Sequence, residues 1–250
     1  MTRWAPPVMF AVALVATGCG GPSGGPSTGP DTDQVRAADY SILFVGNSHT
    51  GFHGLPMLVC DMIRVLKPGA TAYPYLVSVG HLELTAQDPT CKTELETRPW
   101  KFVVLQAQKI SVSGKFEYSR REGLDLAKLG KDRGATVIFY PEWGLEGKAG
   151  DGERNEKVYR EMARDAGVGL APVATAWDRA LAERPALPLY YEDGNHQSRT
   201  GAFLTACVLA GRLTGESPAK LAEFPYDGAT ADERRFLVGV AAKALLEQAP

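Results

Sequence analysis

Short apolar runs alternate along the chain with segments whose apolar residues have helical spacing, which predicts strands alternating with helices. Five apolar runs, each bounded by turn-forming or polar residues, have the length and composition of strands buried on both faces. They lie at residues 42–45, 72–79, 101–108, 135–141 and 168–172. Helical spacing follows over residues 52–66, 117–131, 153–166, 173–183 and 200–213. This alternation predicts an α/β fold, a parallel sheet of about five strands with helices on both faces.

The first apolar run ends at a glycine and leads to a serine. Gly46 permits a sharp turn because glycine takes positive φ without steric cost, and Ser48 follows in the loop before a helix. Open α/β sheets place their chemistry at this edge, so Ser48 is a candidate nucleophile if a histidine takes its proton. Serine also caps helices at such turns, and this stretch alone does not separate the two roles.

A second motif lies just before the apolar helix near the C-terminus. Asp193 and His196 are three residues apart, so the carboxylate can reach the near ring nitrogen and leave the far nitrogen as a base. Taken alone, this motif has an equally simple interpretation, in which Asp193 caps the helix and His196 is a surface residue. His49, His53 and His81 also lie near strand ends, but His196 alone has a carboxylate at a spacing that would orient it.

Other residues at strand ends are candidates for the same crevice. Gly80 follows the second strand, and Gln106 and Gln108 finish the third with amide donors. Trp143 follows the fourth strand, where an exposed ring would stack on a sugar or acyl group. Each has an ordinary alternative: a turn for the glycine, strand-end polarity for the glutamines and packing for the tryptophan.

Together these motifs resemble the SGNH (GDSL-like) hydrolases. Residues 46–50, Gly-Asn-Ser-His-Thr, look like the family's first block, and residues 193–196, Asp-Gly-Asn-His, look like its last. The resemblance implies a flavodoxin-like three-layer α/β/α sandwich that needs no metal or organic cofactor. It further implies a serine esterase in which Ser48 attacks, His196 transfers the proton and Asp193 orients His196.

The third block departs from the family pattern. Leu-Gln-Ala-Gln at residues 105–108 stands where the family has G-x-N-D, so we expect Gln106 or Gln108 to complete an oxyanion hole with the Ser48 and Gly80 amides. The implied substrates are small acyl esters, including O-acetyl groups on glycans. Residues expected to contact substrate are Asn47, His49, His81 and Trp143. The missing asparagine leaves open a non-catalytic saccharide-binding lipoprotein. An O-acyltransferase with the same triad is a further alternative, because a sugar hydroxyl can resolve the acyl-enzyme instead of water.

The N-terminus resembles a bacterial lipoprotein signal. Arg3 precedes an apolar segment, residues 4–16, that is too short to span a bilayer, and small residues then lead to Cys19. We expect residues 1–18 to be a signal peptide, residues 19–34 a lipidated cysteine with a flexible Gly/Pro/Ser tether, and residues 35–250 the hydrolase domain. The protein would be exported and anchored to the membrane through this lipid alone.

Charge and cysteine content add further expectations. The net charge of −2 gives no electrostatic case for nucleic acid binding. Export permits disulfides, and we expect a bridge between Cys60 and Cys91, with Cys207 a buried thiol in an apolar helix. No cysteine pair has metal-ligand spacing. We expect a monomer.

Overall fold

The computed structural model describes residues 29–78, 80, 88–111 and 113–248. In this part of the chain a single parallel sheet has the strand order β2-β1-β3-β4-β5. The strands are β1 Tyr40–Gly46, β2 Ala72–Ser78, β3 Phe102–Leu105, β4 Thr136–Phe139 and β5 Gly169–Leu170. The predicted α/β class and the parallel sheet of five strands are therefore confirmed.

Strand β1 lies inside the sheet and is buried on both faces. Ile42 and Phe44 pack into one core cluster, whereas Leu43 and Val45 pack into the other, and all four are fully buried. Alternate side chains of a strand point to opposite faces, so an uninterrupted apolar run is what a doubly covered strand requires.

Helices cover the two faces of the sheet. In chain order they are α1 Thr32–Ala37, α2 Ser48–Gly51, α3 Leu55–Leu66, α4 Pro89–Thr97, α5 Arg121–Asp132, α6 Asp151–Ala166, α7 Val173–Glu183, α8 Arg199–Thr214 and α9 Ala231–Leu246. Helices α3, α7, α8 and α9 pack on the face that holds Phe44. Helices α1, α4, α5 and α6 pack on the face that holds Val45. Both layers expected from the sequence are present.

Some helix boundaries differ from the predicted ones. The expected helix at 52–66 begins only at Leu55, as α3, because His53 and Gly54 of the preceding 3-10 turn have left-handed backbone conformations. A separate short helix, α2, begins at Ser48 and is capped by the Asn47 side chain. Helix α5 begins later than predicted because Glu117 instead pairs with Ile110 in an antiparallel bridge. Helix α7 ends at Glu183 as predicted.

Besides α2, the sequence patterns gave no prediction for three of the described helices. Helix α1 includes the last residues of the expected tether, since Asp31 caps it and Val35 is buried under the sheet. Helix α4 is capped by Asp88 and holds Cys91. Helix α9 begins with a capping box formed by residues 230 and 233.

The predicted disulfide is wrong. Cys60 of α3 packs against one face of the sheet and Cys91 of α4 packs against the other, so the sheet separates the two residues. Both are buried free thiols, as is Cys207. Burial raises the pKa of Cys60 and of Cys91 to about 12, so both stay protonated.

The expected signal peptide, with Cys19, and His81 lie outside the described residues. Among the helices that are described, none is long and apolar enough to cross a membrane. Within the same ranges, no cluster of three or more His, Cys, Asp or Glu side chains is arranged to hold a metal ion.

Candidate active site

The polar residues singled out by the sequence gather at the carboxyl edge of the sheet. Strand β1 lies between β2 and β3, and the chain leaves it in the turn that carries Ser48. Parallel sheets bind ligands at such a point, where the strand order reverses. The loop that carries Asp193 and His196 reaches the same edge from the start of α8.

Ser48, His196 and Asp193 form a continuous chain of hydrogen bonds. His196 Nε2 lies 2.7 Å from Ser48 Oγ, and His196 Nδ1 lies 2.5 Å from Asp193 Oδ2. An ionised carboxylate only accepts hydrogen bonds, so Nδ1 carries the ring proton and Nε2 is left to accept from the serine hydroxyl. Ser48 is exposed, and therefore a substrate can reach its hydroxyl.

The local fold of residues 193–196 fixes the position of the carboxylate. Asp193 Oδ1 accepts from the backbone amides of Asn195 and His196, each at 2.9 Å. Gly194 has a φ of 66°, a left-handed conformation that glycine adopts readily. Desolvation raises the pKa of Asp193, but hydrogen bonds from the His196 ring and the two amides outweigh it and lower the pKa to about 2.

Neighbouring rings hold the imidazole of His196 in place. The rings of His49 and Phe52 each lie 4.9 Å from it between centroids. Gln197, which is fully buried, donates from Nε2 to the carbonyl oxygens of His49 and Phe52 at 3.2 and 3.1 Å. The loop with the histidine is thus tied directly to the turn with the serine.

His49 is a buried neighbour of the candidate base. Its Nε2 lies 3.2 Å from the carbonyl oxygen of Asn195, to which it donates. Burial and the charge of His196 lower the pKa of His49 to about 4, so His49 is neutral at physiological pH. It borders a small cavity and is 7% exposed, which leaves its expected contact with substrate a prediction.

The expected exposed stacking surface at Trp143 is wrong. This side chain is 3% exposed and stacks on Trp177, with ring centroids 4.1 Å apart. Its Nε1 donates to the carbonyl oxygen of Asn195 at 3.0 Å. Trp143 therefore packs beneath the loop that carries His196, which is the packing role named as its alternative.

The role expected for Gln106 is also wrong, because its amide is fully buried behind the serine. Its Oε1 accepts from the Thr50 hydroxyl at 2.7 Å and from the Asn47 backbone amide at 3.3 Å, while its Nε2 donates to Glu142 at 3.3 Å. A Cβ on Gly46 would lie 2.2 Å from Thr50 Oγ1 and 2.9 Å from Gln106 Oε1. The glycine before the serine is therefore required for close approach.

The other expected donors are placed as follows. Gln108 is half-buried, donates from Nε2 to the Ile110 carbonyl oxygen at 2.8 Å and borders the cavity beside His49. Gly46 of β1 pairs in register with Ser78 of β2, so Ser48 and Gly80 each follow two residues beyond that pair. The Asn47 side chain accepts from the His49 amide at 2.9 Å and thereby caps α2.

Sequence reasoning missed Glu142, although a charged residue directly after a buried strand was an available signal. It is 6% exposed and borders the same cavity, whose volume is about 50 Å³. Burial raises the pKa of Glu142 to about 8, against the lowering effects of Lys109 and of hydrogen bonds from Asn47 and Gln106. Glu142 is therefore largely protonated at neutral pH.

Comparison with known proteins identifies the fold. No protein-family model and no curated protein matches the sequence. Solved structures do match, and those with this arrangement of sheet and helices include SGNH and GDSL-like hydrolases, so the chain has an SGNH-like α/β fold.

Three solved structures illustrate the likeness. A candidate SGNH hydrolase from Slackia heliotrinireducens is 24% identical with a TM-score of 0.56, over 70% of this chain and 98% of that chain. A DUF4886 family protein from Bacteroides uniformis is 16% identical with a TM-score of 0.63, over 83% of this chain and 95% of that chain. The lipase/acylhydrolase from Enterococcus faecalis is 16% identical with a TM-score of 0.52, over 70% of this chain and 96% of that chain.

Proposed function

We propose that the chain is a serine esterase that hydrolyses small acyl esters, including O-acetyl groups on carbohydrate. The observation that carries the proposal is the chain of short hydrogen bonds from Ser48 through His196 to Asp193, with the serine open to solvent. The hydrolases and lipases among the structures that share the fold support the same class of reaction.

The proposed mechanism is two-step acyl transfer. Ser48 Oγ attacks the ester carbonyl while His196 Nε2 takes its proton, and Asp193 stabilises the resulting imidazolium. The imidazolium then protonates the leaving alcohol, and an acyl group remains on Ser48. In the second step His196 takes a proton from water, which attacks the acyl-enzyme carbonyl. The bond to Ser48 Oγ then breaks, the imidazolium returns the proton to Oγ, and the acid is released.

The proposed oxyanion hole consists of the backbone amides of Ser48 and Gly80. The register of β1 and β2 supports this pairing, because the two residues occupy equivalent positions beyond the same pair of strand residues. Gln108 is the remaining side-chain candidate, since Gln106 is buried. One oxyanion donor is worth about a hundred- to a thousandfold in rate.

Hydrolysis assays test this proposal. We expect p-nitrophenyl acetate and acetylated glycans to release acetate with the wild type and not with Ser48→Ala. Saccharide binding without hydrolysis would instead support the non-catalytic lipoprotein. Transfer of the acetyl group to an added glycan would support the O-acyltransferase.

We also propose that the protein is exported, anchored by a lipid on Cys19 and monomeric. The support for export and for the anchor is the sequence of residues 1–19, with its short apolar segment and small residues before the cysteine. Radiolabelled palmitate should enter the full-length wild type and not Cys19→Ala. Equal labelling of both would contradict the anchor, and an assembly mass of two chains in detergent would contradict the monomer.

A further inference from the structure

Two amide side chains hold the turn that carries Ser48, and each has one end on the turn. Gln106 Oε1 accepts from Thr50 and from the Asn47 backbone, and Asn47 Oδ1 accepts from the His49 amide. The oxygen and nitrogen ends of an amide have nearly the same shape but opposite hydrogen-bonding character. The turn is therefore held only if the oxygen of each amide faces it.

The nitrogen end of Gln106 meets a buried carboxyl group. Gln106 Nε2 donates to Glu142 Oε2 at 3.3 Å, and the Asn47 side chain lies near enough to Glu142 to lower its pKa. Reversing the Gln106 amide would place its N–H₂ against the Asn47 backbone N–H and the Thr50 hydroxyl, which now donate to its oxygen. The buried acid thus accepts from the nitrogen end of Gln106 while the oxygen end holds the turn.

We propose, given the esterase function above, that Glu142 is a positioning residue whose carboxyl orients Gln106 and so fixes the turn that presents Ser48 and its amide. Among the described residues no hydrogen bond joins Glu142 to Ser48, so Glu142 acts through Gln106. Gln106, expected to donate to the oxyanion, instead supports the residues that do.

The carboxyl group is also placed to respond to pH. It borders the cavity of about 50 Å³, which the exposed Arg154 of α6 also lines. The ionisable groups that face it or share that cavity come from four elements. They are His49 of α2, Lys109 after β3, Tyr140 after β4, and Asp151 and Arg154 of α6.

Ionisation of Glu142 adds a buried negative charge beside the turn whose amide must stabilise an oxyanion. The pKa of Glu142, raised to about 8, places this change at mildly alkaline pH. His49 is already neutral there, and burial raises the pKa of Tyr140 well above that range. We therefore expect the reactivity of Ser48 to fall as pH rises through about 8.

The test measures the second-order rate at which a fluorophosphonate labels Ser48 in the full-length protein, from pH 6 to 9. Glu142→Ala should slow labelling tenfold or more. Glu142→Gln keeps one acceptor oxygen, so it should slow labelling less and lose the inflection near pH 8. Glu156→Gln changes an equally buried acid on α6 whose partners are Arg160, Thr175 and Gln248, and it should label at the wild-type rate.

The outcomes separate this inference from the proposed function. Labelling of Glu142→Ala and Glu142→Gln within twofold of the wild type, with the same pH profile, would overturn the positioning role and leave the esterase intact. If Glu142→Ala does not fold, Glu142→Gln alone decides the matter through its pH profile. Absence of labelling in the folded wild type would overturn the esterase and, with it, this inference.

Discussion

Two polar regions meet at the nucleophile turn, and they differ in exposure and in origin. The outer region is the chain from Ser48 to His196 and Asp193, which lies at the surface and includes a motif of adjacent residues. The inner region joins Thr50, Gln106, Tyr140 and Glu142, which are buried and come from separate segments. The comparison assigns reactivity to the outer region and rigidity to the inner one.

This difference has a physical basis. A nucleophile and its base must contact substrate and exchange protons, so their side chains have to be accessible to solvent. A buried polar group left without a hydrogen-bond partner destabilises the folded protein by about 1–3 kcal/mol. The side chains of the inner region must therefore hydrogen-bond to one another, which fixes their positions. Thr50 Oγ1, for example, lies 2.7 Å from both Gln106 Oε1 and Tyr140 Oη.

The largest expected effect on activity comes from a substitution in the outer region alone. Asp193→Asn should lower kcat for ester hydrolysis by on the order of a thousandfold or more, because an amide does not hold Nδ1 of His196 protonated. Stability should change little, since the side chain is at the surface. Asp232→Asn removes a comparable exposed carboxylate that pairs with Arg184, and its kcat should equal that of the wild type. Equal kcat for both variants would contradict the assignment.

Gly46→Ala is expected to break the inner region. Its Cβ would overlap Thr50 Oγ1 at 2.2 Å, so we expect a loss of about 2–3 kcal/mol in the free energy of unfolding, measured with urea, together with slower hydrolysis. Gly239→Ala in α9 is the matched control, because a Cβ there meets nothing within 4 Å. That variant should be as stable as the wild type or about 0.5–1 kcal/mol more stable. Similar losses in the two variants would show that the close approach is not required.

Glu142→Gln sharpens the comparison through the pH dependence of stability. The folded pKa of Glu142 is raised to about 8 from 4.5, so its stabilising contribution is complete below pH 4.5 and is lost as pH rises through 8. Between those values the wild type should lose about 1.4 kcal/mol per pH unit relative to Glu142→Gln. Urea unfolding of both proteins at pH 6 and pH 7 measures this slope. A difference that does not change with pH would mean that Glu142 is ionised in the folded state at both values.

The smallest expected effect concerns the cysteines. Because Cys60 and Cys91 lie on opposite faces of the sheet, dithiothreitol should leave the melting temperature unchanged. Alkylation of the unfolded, unreduced chain followed by peptide mapping should modify both residues and Cys207. Protection of Cys60 and Cys91 until reduction would contradict the placement of α3 and α4.

The sequence was most informative where the determinants are local. Continuous apolar runs predicted the strands, the helical spacing over residues 173–183 predicted the extent of α7, and the spacing of Asp193 and His196 predicted their contact. These features depend on a few neighbouring residues and on the alternation of faces. The pairing of Ser48 with His196 was predicted from the combination of the two motifs, which resemble the first and last blocks of the SGNH hydrolases.

The missed features depend on contacts between distant segments. Gln106 follows a strand as expected, but its direction is set by Thr50 and Glu142, which belong to other segments. The disulfide prediction failed because spacing along the chain does not reveal that the sheet separates α3 from α4. Trp143 lies at the predicted edge of the sheet, but its ring is buried because it stacks on Trp177.

The central claim is that the outer region holds an activated serine. Its most direct test is treatment of the full-length protein with a fluorophosphonate, followed by mass spectrometry of its peptides, beside Ser48→Ala and His196→Ala. We expect one adduct, on the peptide with Ser48, in the wild type and in neither variant. A folded wild type without an adduct, or an adduct that persists in His196→Ala at the same rate, would contradict the account.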